Sequence, residues 1–195
     1  MEKKYLLFIL IFVALLIGLW LGLYLGKHAG LQNCPPVSQE NDSAILDTKE
    51  FTMEIPVGWE KAEPPAVISA MIINNQEQVT NPAAQKIDFK TYSAVSNEPL
   101  AGRTLSAYID DYKKVLNKTL PGIEFANESP VLVDNHEAYI FEATVTQSQV
   151  DFKILLVIIS EAPDQAWVIS FNTTADKWDD YQALFYQTAD SFHLK

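Results

Sequence analysis

Residues 150–160 read VDFKILLVIIS, and the run Ile154-Leu155-Leu156-Val157-Ile158-Ile159 is apolar at every position. Successive side chains of a strand point to opposite faces, so a strand built from this run is apolar on both. A strand of an antiparallel meander usually keeps one wet face. The run therefore predicts a sheet covered on both sides. Its neighbours supply the rest of the sheet. Residues 136–145 follow an Asp134-Asn135 turn, and residues 166–173 are reached through Glu161-Ala162-Pro163-Asp164-Gln165. Both alternate or run apolar over strand length.

Two amphipathic helices are the natural covers. In residues 104–118, Leu105, Tyr108, Ile109, Tyr112, Val115 and Leu116 follow the i, i+3, i+4, i+7 stripe. Thr104 is placed as N-cap, Asp110 lies at ion-pair spacing from Lys113 and Lys114, and Pro121-Gly122 closes the element. In residues 175–191, Trp178, Tyr181, Phe185 and Thr188 form a second stripe that Phe192 extends. Upstream, Phe51, Met53 and Ile55 alternate with Thr52 and Glu54 before Pro56-Val57-Gly58-Trp59 turns the chain. Further strands are expected over residues 67–73 and 86–95, with a polar loop over residues 74–85 between them. The order of strands, helix, strands, helix favours an α+β domain with a mainly antiparallel sheet over a βαβ repeat.

Ahead of this domain the composition changes. Residues 5–26, YLLFILIFVALLIGLWLGLYLG, carry no charge, and fifteen of the twenty residues from Leu6 to Leu25 are Leu, Ile, Phe or Val. These side chains favour bilayer entry by roughly 6 kcal/mol. As a helix the segment spans roughly 33 Å, enough for the hydrocarbon core. A cleaved signal peptide has an apolar region of only about 7–15 residues ending in an A-x-A-like site. Lys27-His28-Ala29-Gly30-Leu31 is a poor match to such a site, and Leu31-Gln32-Asn33 lacks the small residue a lipoprotein cysteine at Cys34 needs. A retained transmembrane helix is expected. Lys3 and Lys4 on one side against Lys27 on the other place the N-terminus in the cytoplasm and the C-terminal domain outside it. The chain thus divides into a stub (1–4), a membrane helix (5–26), a Pro35-Pro36-containing linker (27–43) and one domain (44–195).

Inside the membrane segment Ala14, Gly18, Gly22, Gly26 and Gly30 recur every four residues. That spacing keeps small side chains near one face, where a second helix can approach closely, which makes the stripe a candidate homodimer contact; the alternative is the general frequency of glycine in membrane helices. Cys34 is the only cysteine, which excludes an intramolecular disulfide and leaves either an idle thiol or pairing with its own copy. Of 14 Lys+Arg and 25 Asp+Glu, residues 31–195 hold 11 and 24, a formal charge of −13. Such a domain is unsuited to nucleic acid, whose binding needs cations against phosphate, and is repelled by anionic headgroups.

Motifs spread over residues 45–195 resemble the PsbP-like family. They are Phe51-x-Met53-x-Ile55-Pro56-x-Gly58-Trp59, then Thr104-Leu105-x-x-Tyr108, then a finish running from Trp167 to Phe171, through Thr173-Thr174-Ala175-Asp176 and Tyr181 and Phe185, to Ser191-Phe192. The resemblance implies an α/β/α sandwich around an antiparallel sheet. It implies an accessory or binding role, with no catalytic residues to carry over. The family's fold hosts the extrinsic photosystem II subunit, a Ran-binding import factor and many bacterial envelope proteins; the retained anchor departs from the plant members, so no photosynthetic role is implied.

The residues themselves point the same way. His28, His136 and His193 are scattered, with no H-E-x-x-H spacing and no second cysteine for a thiolate zinc site. Asp176, Asp179 and Asp180 complement the N-terminus of a helix and do not form the twelve-residue calcium loop. No G-x-S-x-G or glycine-rich phosphate loop is present, since Gly58, Gly102 and Gly122 stand alone. The four N-x-S/T sequons at Asn41, Asn117, Asn127 and Asn172 matter only in a glycosylating secretory pathway. The expectation is a non-enzymatic extracytoplasmic module without cofactor or metal, binding an envelope protein partner. The alternatives are a small apolar ligand held among Tyr108, Tyr112, Trp167 or Trp178, and an envelope hydrolase whose triad assembles only in space.

Overall fold

The computed structural model describes residues 44–195. The membrane segment, the Ala14–Gly30 small-residue stripe, the linker, His28, Cys34 and Asn41 lie outside the described residues. Among the described residues no helix is long and apolar enough to cross a membrane.

In chain order the strands are β1 (Ala44–Asp47), β2 (Phe51–Ile55), β3 (Glu60–Ala62), β4 (Ala70–Ile73) and β5 (Tyr92–Pro99), with the short helix α1 (Pro82–Lys86) between the last two. Helix α2 (Leu105–Thr119) follows, then β6 (Glu124–Val133), β7 (His136–Gln147), β8 (Val150–Glu161) and β9 (Gln165–Thr174). A 3-10 turn (Ala175–Lys177) leads into α3 (Trp178–Asp190), and β10 (His193–Leu194) ends the chain. The main sheet has seven strands in the order β3-β4-β5-β9-β8-β7-β6, and a smaller one pairs β1-β2-β10. All pairings are antiparallel.

Strand β8 lies inside the main sheet with both faces covered. Ile154, Leu156 and Ile158 join Tyr108, Ile109, Tyr112 and Leu116 of α2 in one core. Leu155, Val157 and Ile159 join Phe185, Ala189 and Phe192 in the other. The second cover is shared: Leu46, Phe51, Met53 and Ile55 of the small sheet lie in the same core as α3. Strand β2 therefore belongs to this lid and does not extend the main sheet. Ser191 closes the lid, its hydroxyl donating to the Thr188 carbonyl at 2.7 Å and accepting from the Glu54 N–H at 2.9 Å.

Local chemistry explains the element ends. The Thr104 hydroxyl accepts from the Ala107 N–H at 3.3 Å, capping α2 as its sequence indicates. The Trp59 N–H donates to the Pro56 carbonyl at 3.0 Å around Gly58, whose φ of +83° glycine adopts without steric cost. Two-residue turns at Asp134-Asn135 and Ser148-Gln149, all four with positive φ, join β6 to β7 and β7 to β8.

Several elements differ from expectation. Residues 74–85 are not all loop: Asn81 Oδ1 accepts from the N–H groups of Ala83 and Ala84 and starts α1 with Pro82 in its first turn. Because Lys86 ends that helix and Asp88 takes a positive φ, β5 starts at Tyr92 and not at residue 86. Residues 67–69 precede β4, which pairs with the added strand β3. Asp111, not Asp110, takes the helical ion pair with Lys114, at 3.1 Å, and also meets Arg103 at 3.3 Å. Strand β6 has no simple alternation because a bulge at Asn127 shifts the register between Ala126 and Ser129.

Candidate interaction site

Strand β6 is the last strand of the main sheet, and Pro130 occupies it, as an edge position permits for a residue without an N–H. Helix α2 leaves part of β6 and β7 uncovered. Between them lies an open groove of about 740 Å³, walled by Leu105, Ile109 and Asp110 of α2 and floored by Pro130, Leu132 and Tyr139. Leu132, 67% exposed, contributes apolar surface to this concave site.

The groove's one cation is already held from within. Lys113 pairs with Glu128 and sits 5.4, 5.7 and 5.3 Å from the ring centroids of Phe125, Tyr139 and Phe141. The Tyr139 hydroxyl donates to Glu128 at 3.2 Å, and its pKa is raised by desolvation and by that bond. Asp110 and Glu137 also line the groove, and among the described residues neither has an ion-pair partner. The free charge of the groove is therefore negative.

Two further carboxyls, Glu98 and Glu142, are buried. Glu142, on β7, accepts from Lys153 Nζ at 3.0 Å, Gln182 Nε2 at 3.1 Å and the Tyr186 hydroxyl at 3.1 Å, with Lys153 also lying 5.2 Å over the Trp178 ring. Burial works to raise its pKa, but the bonds from Lys153, Asn127, Gln182 and Tyr186 outweigh it and hold the carboxyl below its ordinary value. Its lone pairs are occupied, and its effect is to tie α3 to the sheet. Glu98, on β5, accepts from the Tyr108 hydroxyl at 2.6 Å; burial pushes its pKa up, with Tyr108 and Arg103 opposing. The neighbouring Tyr112 hydroxyl is buried without a hydrogen-bond partner. An unsatisfied buried hydroxyl costs about 1–3 kcal/mol. Tyr112→Phe is thus expected to raise the urea midpoint of the protein, and a fall of the midpoint would show that this hydroxyl is satisfied after all.

The four aromatics nominated for a ligand pocket do not converge. Tyr108 and Tyr112 belong to the α2 face and Trp167 and Trp178 to the α3 face, and all four are buried. The sheet separates the two pairs, so a ligand site would draw on one pair or the other, never on all four. His136 opens β7, and His193 faces Asp134 Oδ1 at 3.0 Å. Asp180 pairs with Lys177 at 3.0 Å, and among the described residues no group of three or more His, Cys, Asp or Glu is placed to hold a metal. The groove itself was not nominated from sequence. Only Leu132, an apolar residue on the solvent side of a bulged strand, hints at it.

An antiparallel sheet with α2 on one face and α3 on the other, the latter joined by a short-stranded lid, is the PsbP-like fold. Cyanobacterial PsbP from Synechocystis sp. PCC 6803 superposes with a TM-score of 0.57 at 20% identity, over 85% of this chain and 99% of that one. LpqN of Mycobacterium tuberculosis, described as involved in cell envelope biogenesis, gives 0.59 at 11% identity over 83% and 90%. The Saccharomyces cerevisiae Ran-binding protein Mog1p gives 0.55 at 15% identity over 80% and 96%. At these identities the likeness is one of fold. No family model and no curated protein matches the chain.

Proposed function

We propose that this protein is a single-pass membrane protein, N-terminus inside, whose extracytoplasmic domain is a non-enzymatic accessory module that holds an envelope protein partner. The observation that carries the reading is the open groove, with Leu132 exposed in it and its only lysine held internally. Together with Leu105, Ile109 and Pro130, Leu132 gives the groove a concave apolar lining on which a partner side chain can be buried. A Ran-binding protein and an envelope-biogenesis protein share the fold, which lends support to an interaction role. The uncharged segment of residues 5–26 supplies the anchor, and the stripe from Ala14 to Gly30 supplies a homodimer contact within the membrane.

Photo-crosslinking from position 132 in intact cells, followed by mass spectrometry, tests this reading. One recurrent envelope protein is expected. Crosslinks only to a second copy, lost in Gly22→Ile, would replace the partner with the dimer, and no crosslink at all would overturn the use of this groove. Cys34 as sole cysteine reports topology. A membrane-impermeant maleimide is expected to label it in intact cells, whereas labelling only after lysis would place the domain inside.

A further inference from the structure

The groove's lining goes further than the bare existence of a partner. We infer that it receives a short cationic segment of that partner, in which Lys or Arg side chains alternate with apolar ones. This deepens the proposed function and rests on it.

The inference follows from charge and shape together. Asp110, Glu128 and Glu137 line the groove against the single cation of Lys113. Lys113 and Glu128 satisfy one another, and the lysine is further held by three aromatic rings, so neither is available to an incoming group. What remains for a ligand is two exposed carboxylates, Asp110 on the helical wall and Glu137 on the strand floor. The same groove is lined by Leu105, Pro130 and Leu132, apolar surface that a small hydrated cation would leave wet. An occupant must therefore offer positive charge and apolar surface at once. A domain with a formal charge of −13 over residues 31–195 steers such a segment toward itself and repels anionic ones. It also disfavours anionic lipid as the covering partner.

The test uses the full chain in nanodiscs of zwitterionic lipid, with a fluorescent Lys-Leu-Lys-Leu-Lys-Leu peptide as probe and a Glu-Leu-Glu-Leu-Glu-Leu peptide as control. Binding is read by anisotropy. Saturable binding of the cationic peptide, weakening with added salt, is expected, and none of the anionic one. The double variant Asp110→Lys/Glu137→Lys should weaken binding by about tenfold or more, since two exposed attractions become repulsions. Asp179→Lys/Asp190→Lys changes the net charge equally on exposed positions of α3, on the opposite face, and should leave binding unaltered. Equal loss in both double variants would reduce the effect to general acidity and overturn the site. Binding of the anionic peptide, or no binding of either, would overturn the cationic segment while leaving the partner reading to the crosslink from position 132.

Discussion

Phe185→Ala is expected to lower the unfolding free energy by about 4 kcal/mol, within the range for deleting a fully buried phenylalanine. Phe185 is 1% exposed and stands at the centre of the α3 face. Its ring stacks on Phe171 at 5.2 Å and on Tyr181 at 5.7 Å, and meets Trp59 and Trp178 edge-on at 6.2 and 6.0 Å. Such pairs contribute about 0.5–1.5 kcal/mol each beyond area burial. The cavity left by truncation is slow to collapse, because Phe171 is fixed in β9 between two paired strands. Since domains of this kind have only about 5–15 kcal/mol in total, the loss is a large share. Urea titration followed by tryptophan fluorescence measures it, with Trp59 and Trp178 reporting from the site. A loss below about 1 kcal/mol would mean that α3 is not the cover it is described to be.

Lys153→Met is the second large effect, at roughly 3 kcal/mol. Breaking a buried ion pair by removing one partner costs about 3–5 kcal/mol; Lys153, with 20% of its side chain exposed, belongs at the lower end. The variant leaves Glu142, only 1% exposed, without its cation, while Gln182 and Tyr186 still donate to it. The pH dependence fixes the mechanism. In the native protein the Glu142 carboxyl is held below its ordinary value, so the folded state binds this proton less readily than the unfolded chain. Its stabilisation is fully present above the ordinary glutamate pKa of about 4.3 and is lost as pH falls through the lowered folded value. In Lys153→Met burial acts with less opposition and raises that pKa, so the stability gap between variant and native protein should narrow on acidification. A gap independent of pH would show that Lys153 contributes only its packing over Trp178.

Much of the framework was legible from local pattern. The doubly apolar run of β8 announces a covered sheet because side chains alternate with a period of two. The stripes of α2 and α3 identify the covers because helical periodicity records which face is buried. The Pro56–Trp59 turn and the Thr104 cap are equally local, each set by one residue's backbone or side-chain chemistry. Elements that escaped were short or irregular. Helix α1 has five residues, β10 two, and the bulge at Asn127 breaks the alternation that would have marked β6.

The sites were less legible than the framework. Glu142 and Lys153 stand out as charges within apolar runs, YIFEATV and VDFKILL, yet nothing local says that they meet each other or Gln182. Their encounter depends on the register of β7 against β8 and on where α3 lands. The same holds for the groove, which joins Leu105 and Ile109 to Leu132 and Glu137 across the sheet edge. From sequence alone came the charge of the chain, the apolar segment, the covered antiparallel sheet and the two helices that cover it, because each is a property of consecutive residues. Tertiary structure alone decided that β2 joins a separate lid, that Tyr112 and Trp167 face apart, and that two carboxylates remain free beside Leu132. Those outcomes depend on which distant segments pack together, and periodicity along one segment carries no record of its neighbour.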